Sequence, residues 1–163
     1  MSNAQEFIQN QEDTKVSFKI KNFGVNVDGD FGEVDIKTNF DSTNLKESYI
    51  SATIAVKSIS TGIESRDKHI LEKGYFDEPN HKNITLASSK IEKNDDGTFQ
   101  LFANLTIKGI TKVIKIPITV VENENSLKIN ANFEINRKNF KVGGGSFVMG
   151  KKVKIQVEYS GTK

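Results

Sequence analysis

The chain has 163 residues, no cysteine, and 23 Lys plus Arg against 21 Asp plus Glu, a net charge of +2. Disulfide frameworks and thiolate metal sites are therefore excluded, and no strong field is present to gather nucleic acid or an anionic membrane surface. With 11 Phe and only 2 Pro in a composition that is 36% hydrophobic, the sequence suits pleated, half-buried strands in one domain.

Met1-Ser2-Asn3-Ala4 reads as an expression-tag remnant, and the polar residues 5–14 are expected to be poorly ordered, which sets a single domain at 15–160. No apolar run reaches the roughly 18 residues that span a bilayer, and no signal-peptide core is visible. From Lys15 the sequence alternates, with Val16, Phe18 and Ile20 on one face and Lys15, Ser17, Lys19 and Lys21 on the other. That is the period of a strand with one wet face. The alternation returns at Val34 and Ile36, then at Ile50, Ala52, Ile54 and Val56.

Next, Thr61-Gly62-Ile63-Glu64 reads as a capping box ahead of Arg66 to Lys73, with Gly74 at the C′ position. A short helix is predicted there, with Ile63, Ile70 and Leu71 on one face. Strands resume at Ile84 and Leu86. Phe99, Leu101, Ala103, Leu105 and Ile107 are followed by Ile114, Ile116, Ile118 and Val120, with Gly109 in the link, a hairpin pattern. Leu127, Ile129, Ala131, Phe133 and Ile135 form the next strand; Val153, Ile155, Val157 and Tyr159 form the last. Gly143-Gly144-Gly145 predicts a flexible connection into it, whose apolar tip Phe147, Val148 and Met149 is read first as a cap on the barrel and otherwise as a partner contact or a cover over a cavity mouth. The fold class is thus all-β: an up-and-down antiparallel sheet of about eight strands with one short helix, which closing into a barrel would relieve of its edges. Alternation alone leaves open whether side chains fill such a barrel or leave room for a ligand.

Candidate chemistry is sparse. Gly145 to Lys152 has the glycine and lysine spacing of a phosphate-binding loop, but Lys152 stands where a Mg²⁺-binding Ser or Thr belongs, and a strand follows where a helix is required. Arg66, Asp67 and His69 are the one titratable cluster, and no Cys or strained Ser stands by as nucleophile. They are read first as ties holding the helix, next as contacts for a ligand head group, and last as catalysts. His69 and His81 are too far apart for a metal set, so no metal and no cofactor are expected. The sequons at Asn83 and Asn104 are of a kind that arises by chance.

The stretch Ser58-Ile59-Ser60-Thr61-Gly62-Ile63-Glu64-Ser65-Arg66-Asp67-Lys68-His69-Ile70-Leu71, with Tyr75-Phe76-Asp77 after it, resembles the most recognisable segment of the YceI-like family. Leu105-Thr106-Ile107-Lys108-Gly109-Ile110-Thr111-Lys112 resembles that family's strand–turn–strand signature, and Val16 to Lys21 its opening strand. The resemblance implies a lipocalin-like barrel that holds polyisoprenoids or other long apolar molecules, and export to the periplasm or beyond. Asn22 and Lys108 stand where family histidines are common, and Lys82 and Val113 where proline is usual, departures that bear on head-group chemistry.

The expected function is binding or carrying a polyisoprenoid, an isoprenoid quinone, or a fatty acid or amide, without catalysis. Its competitor is a filled barrel acting as a structural or protein-interaction module. The expected lining is Phe18, Ile20, Ile54, Val56, Leu101, Leu105, Ile116, Ile118, Ile129 and Phe133, with Arg66 and His69 near one end by a ligand head group, and Phe147 and Met149 shielding the other or the same mouth. Expected partners are a long-chain lipid or isoprenoid and no nucleic acid. Stable membrane insertion is not expected, and a homodimer is an admissible assembly.

Overall fold

Strand pairing begins with turn chemistry. In two places a two-residue loop puts both central residues at positive φ: Phe23 (54°) with Gly24 (76°), and Lys108 (52°) with Gly109 (75°). Positive φ at both positions is the twist-matching geometry of a tight hairpin, and glycine adopts it at no steric cost. These loops join β2 (Lys15–Asn22) to β3 (Val25–Phe31) and β8 (Phe99–Ile107) to β9 (Ile110–Glu122). A computed structural model describes residues 5–146 and 148–163.

The remaining strands are β1 (Ile8–Gln9), β4 (Val34–Thr38), β5 (Ile50–Ala55), β6 (Ile59–Ser60), β7 (Asn83–Lys93), β10 (Ser126–Asn136) and β11 (Lys152–Thr162). Together they make one 11-stranded sheet in the order β4-β5-β7-β8-β9-β10-β11-β2-β3-β6, with β1 beside β11. The pairings are antiparallel throughout. The expected count of about eight is therefore too low; β1, β3 and β6 account for the difference. β3 does alternate, with Val25, Val27 and Phe31 against Asn26, Asp28 and Asp30, but only Phe31 on it is a large side chain.

The sheet curls into a half-barrel. Only Gly32 and Glu33 separate β3, near one end of the strand order, from β4 at the other, so a single stretch of chain serves both margins. The segment 5–14, expected to be poorly ordered, helps hold that shape. Gln9 lies in β1 beside β11, and its side chain copies a strand backbone toward β4, donating to the Val34 carbonyl at 2.8 Å and accepting from the Ile36 N–H at 2.5 Å. The Phe7 N–H adds a bond to the Thr38 carbonyl.

The helix forms, but not as the sequence suggests. α1 covers Glu64–Ile70, and its N-cap is Ile63, with no side-chain cap. Thr61 instead bonds Asp67, whose carboxylate accepts from the Thr61 N–H at 2.9 Å and its hydroxyl at 2.6 Å. Gly74 is not left-handed; the positive φ that follows the helix falls on Asp77.

Candidate ligand cavity

Every second side chain of each strand points inward, and inside the curl these faces do not fully meet. They enclose a cavity of about 300 Å³ with an almost wholly apolar wall. Nine of the ten expected lining residues border it: Phe18, Ile20, Ile54, Leu101, Leu105, Ile116, Ile118, Ile129 and Phe133. Val56 does not. β5 ends at Ala55 and the chain tightens into a 3₁₀ turn over Val56–Ser58, which takes Val56 out of register. Its side chain is buried instead with Ile84, Leu105, Ile107, Phe140 and Val142.

One end of the cavity is plugged. Phe7, Phe40, Phe99 and Leu127 belong to the same buried cluster as Tyr159, yet only Tyr159 of these borders the cavity. Phe40 meets Phe99 edge-on, at 5.1 Å between centroids. The other end is framed by Arg66, His69 and Ile70 of α1, by Tyr75 and Phe76 after it, and by Ser146, Val148 and Met149. Arg66, His69 and Met149 all border the cavity at this end; Phe147 lies outside the described residues.

The Arg66 and Asp67 side chains form a knot around Thr61. Arg66 Nε donates to Thr61 Oγ1 and Nη2 to the Thr61 carbonyl, both at 2.8 Å, while Asp67 takes the Thr61 donors. This ties α1 to the end of β6. His69 faces Tyr75 at 4.9 Å between rings, with Glu72 3.4 Å from its Nδ1.

Arg137, which sequence reasoning missed, is the central polar group of this end. It is 3% exposed and borders the cavity. Nε donates to the Gly150 carbonyl, Nη1 to those of Val142 and Gly143, and Nη2 to those of Ser146 and Met149. All five guanidinium N–H groups are thereby engaged by main-chain oxygens. No carboxylate pairs with it among the described residues. Burial pulls its pKa down from the ordinary value, with the Tyr75 side chain opposing, yet a guanidinium stays charged in proteins. Of the glycine run, Gly143 is held by its contact with Arg137, and it also donates its N–H to the Gly74 carbonyl. The only sequence signal was a lone Arg beside a strand end, followed by a loop rich in free carbonyls.

At the plugged end Tyr159 is 3% exposed, and burial pushes its pKa up to about 12, with nearby Glu6 acting in the same direction. Among the described residues no group of three or more His, Cys, Asp or Glu could hold a metal, and no helix is long and apolar enough to cross a membrane.

The sequence matches the YceI-like domain over residues 8–160. A UPF0312 protein of Ectopseudomonas mendocina is 32% identical over 102 residues, 62% of this chain and 53% of that protein. One from Pectobacterium atrosepticum is 28% identical over 107 residues, 65% and 55% of the two chains. The chain thus aligns with about half the length of these curated relatives. Among solved structures, Burkholderia cenocepacia BcnA superposes with a TM-score of 0.89 at 24% identity, over 94% of this chain and 99% of that one. A polyisoprenoid-binding domain from Saccharophagus degradans, implicated in plant cell wall breakdown, gives a TM-score of 0.73 at 11% identity over 98% and 99%. These likenesses establish the fold.

Proposed function

The chain belongs to the YceI-like family, and on that premise we propose that it binds a long apolar molecule, an isoprenoid or acyl chain, inside the curled sheet and carries it without chemical change. The observation that carries this reading is the apolar cavity of about 300 Å³ between the inward strand faces. A filled interaction module would need those faces to interdigitate. The volume lies at the lower end of the range usual for ligand pockets.

Affinity comes from desolvation. Each methylene moved from water into such a wall contributes about 0.8 kcal/mol, so ten contribute roughly 8 kcal/mol before the cost of ordering the chain. No charged anchor is required. In this reading the Arg66 and His69 side chains, which border the open end, meet a polar head that stays partly wet. The Saccharophagus domain of the same fold is a polyisoprenoid binder, which supports the choice of ligand class. A catalytic role finds no support in the Arg66–Asp67–Thr61 knot, whose hydrogen bonds are spent on position. Export to the periplasm or beyond belongs to the same proposal, and cell fractionation of the native host tests it.

Native mass spectrometry after mild purification is expected to show a co-purifying isoprenoid or acyl chain, or uptake of an added isoprenoid quinone or fatty amide. Protein that is repeatedly empty and takes up neither would refute the carrier.

A further inference from the structure

An antiparallel sheet sends its successive reversals to opposite ends, and here the two ends differ in charge. At the plugged end the reversals 39–49, 94–98 and 123–125, next to Phe40, Phe99 and Leu127, carry Asp41, Glu47, Asp95, Asp96 and Glu124 against the one base Lys46. At the open end the segment 137–151 carries Arg137, Lys138, Lys141 and Lys151 and no acid. Lys108, in the turn between β8 and β9, adds its ammonium there, 2.9 Å from the Lys141 carbonyl. The other long connection at this end, 56–82, is balanced in charge. A net charge of +2 therefore conceals a dipole along the sheet axis, basic at the open end and acidic at the plugged one.

The same end exposes apolar side chains. Phe23, at the tip of the β2–β3 turn, is 75% exposed. Its φ of 54° is one that glycine and asparagine adopt readily and a bulky side chain seldom does. Neither turn geometry nor core packing accounts for an aromatic ring at this position. The Phe23 N–H donates to the Val148 carbonyl at 2.9 Å, and Asn22 pairs with both Met149 and Val25, which puts the exposed Val25 and Val148 beside the turn. Val25 continues the row of β3 whose Val27 and Phe31 border the cavity, and Val148 borders it as well, so the apolar wall runs out past the mouth onto the surface. Lys21 and Lys151 flank this tip, brought together by the Gly150 N–H, which donates to the Lys21 carbonyl at 2.7 Å. Both are exposed, and neither pairs with a carboxylate among the described residues.

We infer that the open end is a docking face for an anionic lipid bilayer, with Phe23, Val25 and Val148 entering the interfacial layer and Lys21, Lys138, Lys141 and Lys151 meeting its phosphates. An apolar tip flanked by lysines suits such a surface, because ring and methyl groups lie below the headgroups while the ammoniums stay among them. The acidic plugged end is turned away by the same charge. A second copy of the chain is a poor occupant, since it would bring two basic faces together. Nucleic acid would answer the lysines but not the two valines. The inference goes beyond the carrier reading, because docking does not depend on what fills the cavity; it sets the mouth against a phase in which long apolar molecules dissolve.

The probe is a vesicle of equal parts phosphatidylcholine and phosphatidylglycerol. The chain has no tryptophan, so Phe23→Trp reports from the tip alone. Its emission is expected to move to shorter wavelength when vesicles are added and to be quenched by brominated lipid. Val121→Trp, at an exposed position near the plugged end of β9, is expected to show neither change. In co-sedimentation Phe23→Asn, which keeps a residue suited to positive φ, is expected to bind about tenfold more weakly than wild type, and Lys138→Glu with Lys151→Glu more weakly by about tenfold or more. Wild type that does not sediment with these vesicles would overturn the docking face, as would F23W emission that stays unmoved, V121W quenched as strongly, or F23N bound as tightly as wild type. A vesicle-free dimer that F23N abolishes would overturn it too, by giving the face to a second copy. Cargo is read separately by native mass spectrometry, so protein that docks through Phe23 yet stays empty would support this face and remove the carrier reading alone.

Discussion

Arg137 and Tyr159 occupy opposite ends of the cavity and are buried on opposite terms. The guanidinium has a partner for each N–H, whereas the phenol has none. Burial alone is the main cause of the raised Tyr159 pKa, and that has a consequence for stability. The unfolded chain releases the phenolic proton near the ordinary value of 10.0, and the folded chain holds it until about 12. Stability from this group is fully present below the unfolded value and is lost as pH rises through that window. Tyr49, whose hydroxyl donates to Glu6, is also raised to about 12 and adds a loss in the same window. Urea midpoints measured from pH 9 upward are expected to fall above pH 10 in wild type, and less steeply in Tyr159→Phe. An equally steep fall in that variant would mean that Tyr159 does not ionise late. Neither residue's role was legible locally: Tyr159 reads as one more inward position of a strand, and Arg137 as one more charge at a strand end.

At the scale of elements, the loop from Val142 to Gly150 depends on a side chain outside it. Its carbonyls converge on Arg137, so shortening that side chain leaves several oxygens without donors in a place water does not readily reach. Arg137→Met is expected to lower unfolding free energy by about 3 kcal/mol or more, and Arg137→Lys by less, because an ammonium keeps the charge but lacks the planar fork. Chemical denaturation measures both; a loss below about 1 kcal/mol in the Met variant would show that the loop holds itself. Among elements, the sequence was clearest where period two ran long, as in β8, β10 and β11. It was least clear for β1 and β6, two residues each, which exist only because a longer strand lies alongside. The helix shows a local motif overridden. Thr61 is two residues too early to cap α1, and the acid that reaches it is Asp67 rather than Glu64, because Arg66 and Asp67 close on it from the first turns of the helix.

For the whole molecule the deciding quantity is space. Ala131 sits on the inward face of β10, 7% exposed, bordering the cavity between Ile118 and Val157 on the neighbouring strands. In a packed core, enlarging such a residue costs about 1–3 kcal/mol through strain. Over a void it removes the void instead. Ala131→Phe is expected to leave stability within about 1 kcal/mol of wild type or above it, and to reduce uptake of an isoprenoid or fatty amide at least tenfold. Denaturation and native mass spectrometry read the two effects; a destabilised variant with undiminished uptake would place the ligand elsewhere. The sequence by itself determined which face of each long strand is apolar, since side-chain direction follows from strand period alone, and it carried the family resemblance. Only the tertiary structure decided that the described residues form 11 strands, that Gln9 stitches β1 to β4, that Val56 leaves the wall, and that a void remains between the faces. Each of these depends on distances between residues far apart in the chain, and periodicity within a strand contains no information about what stands across from it.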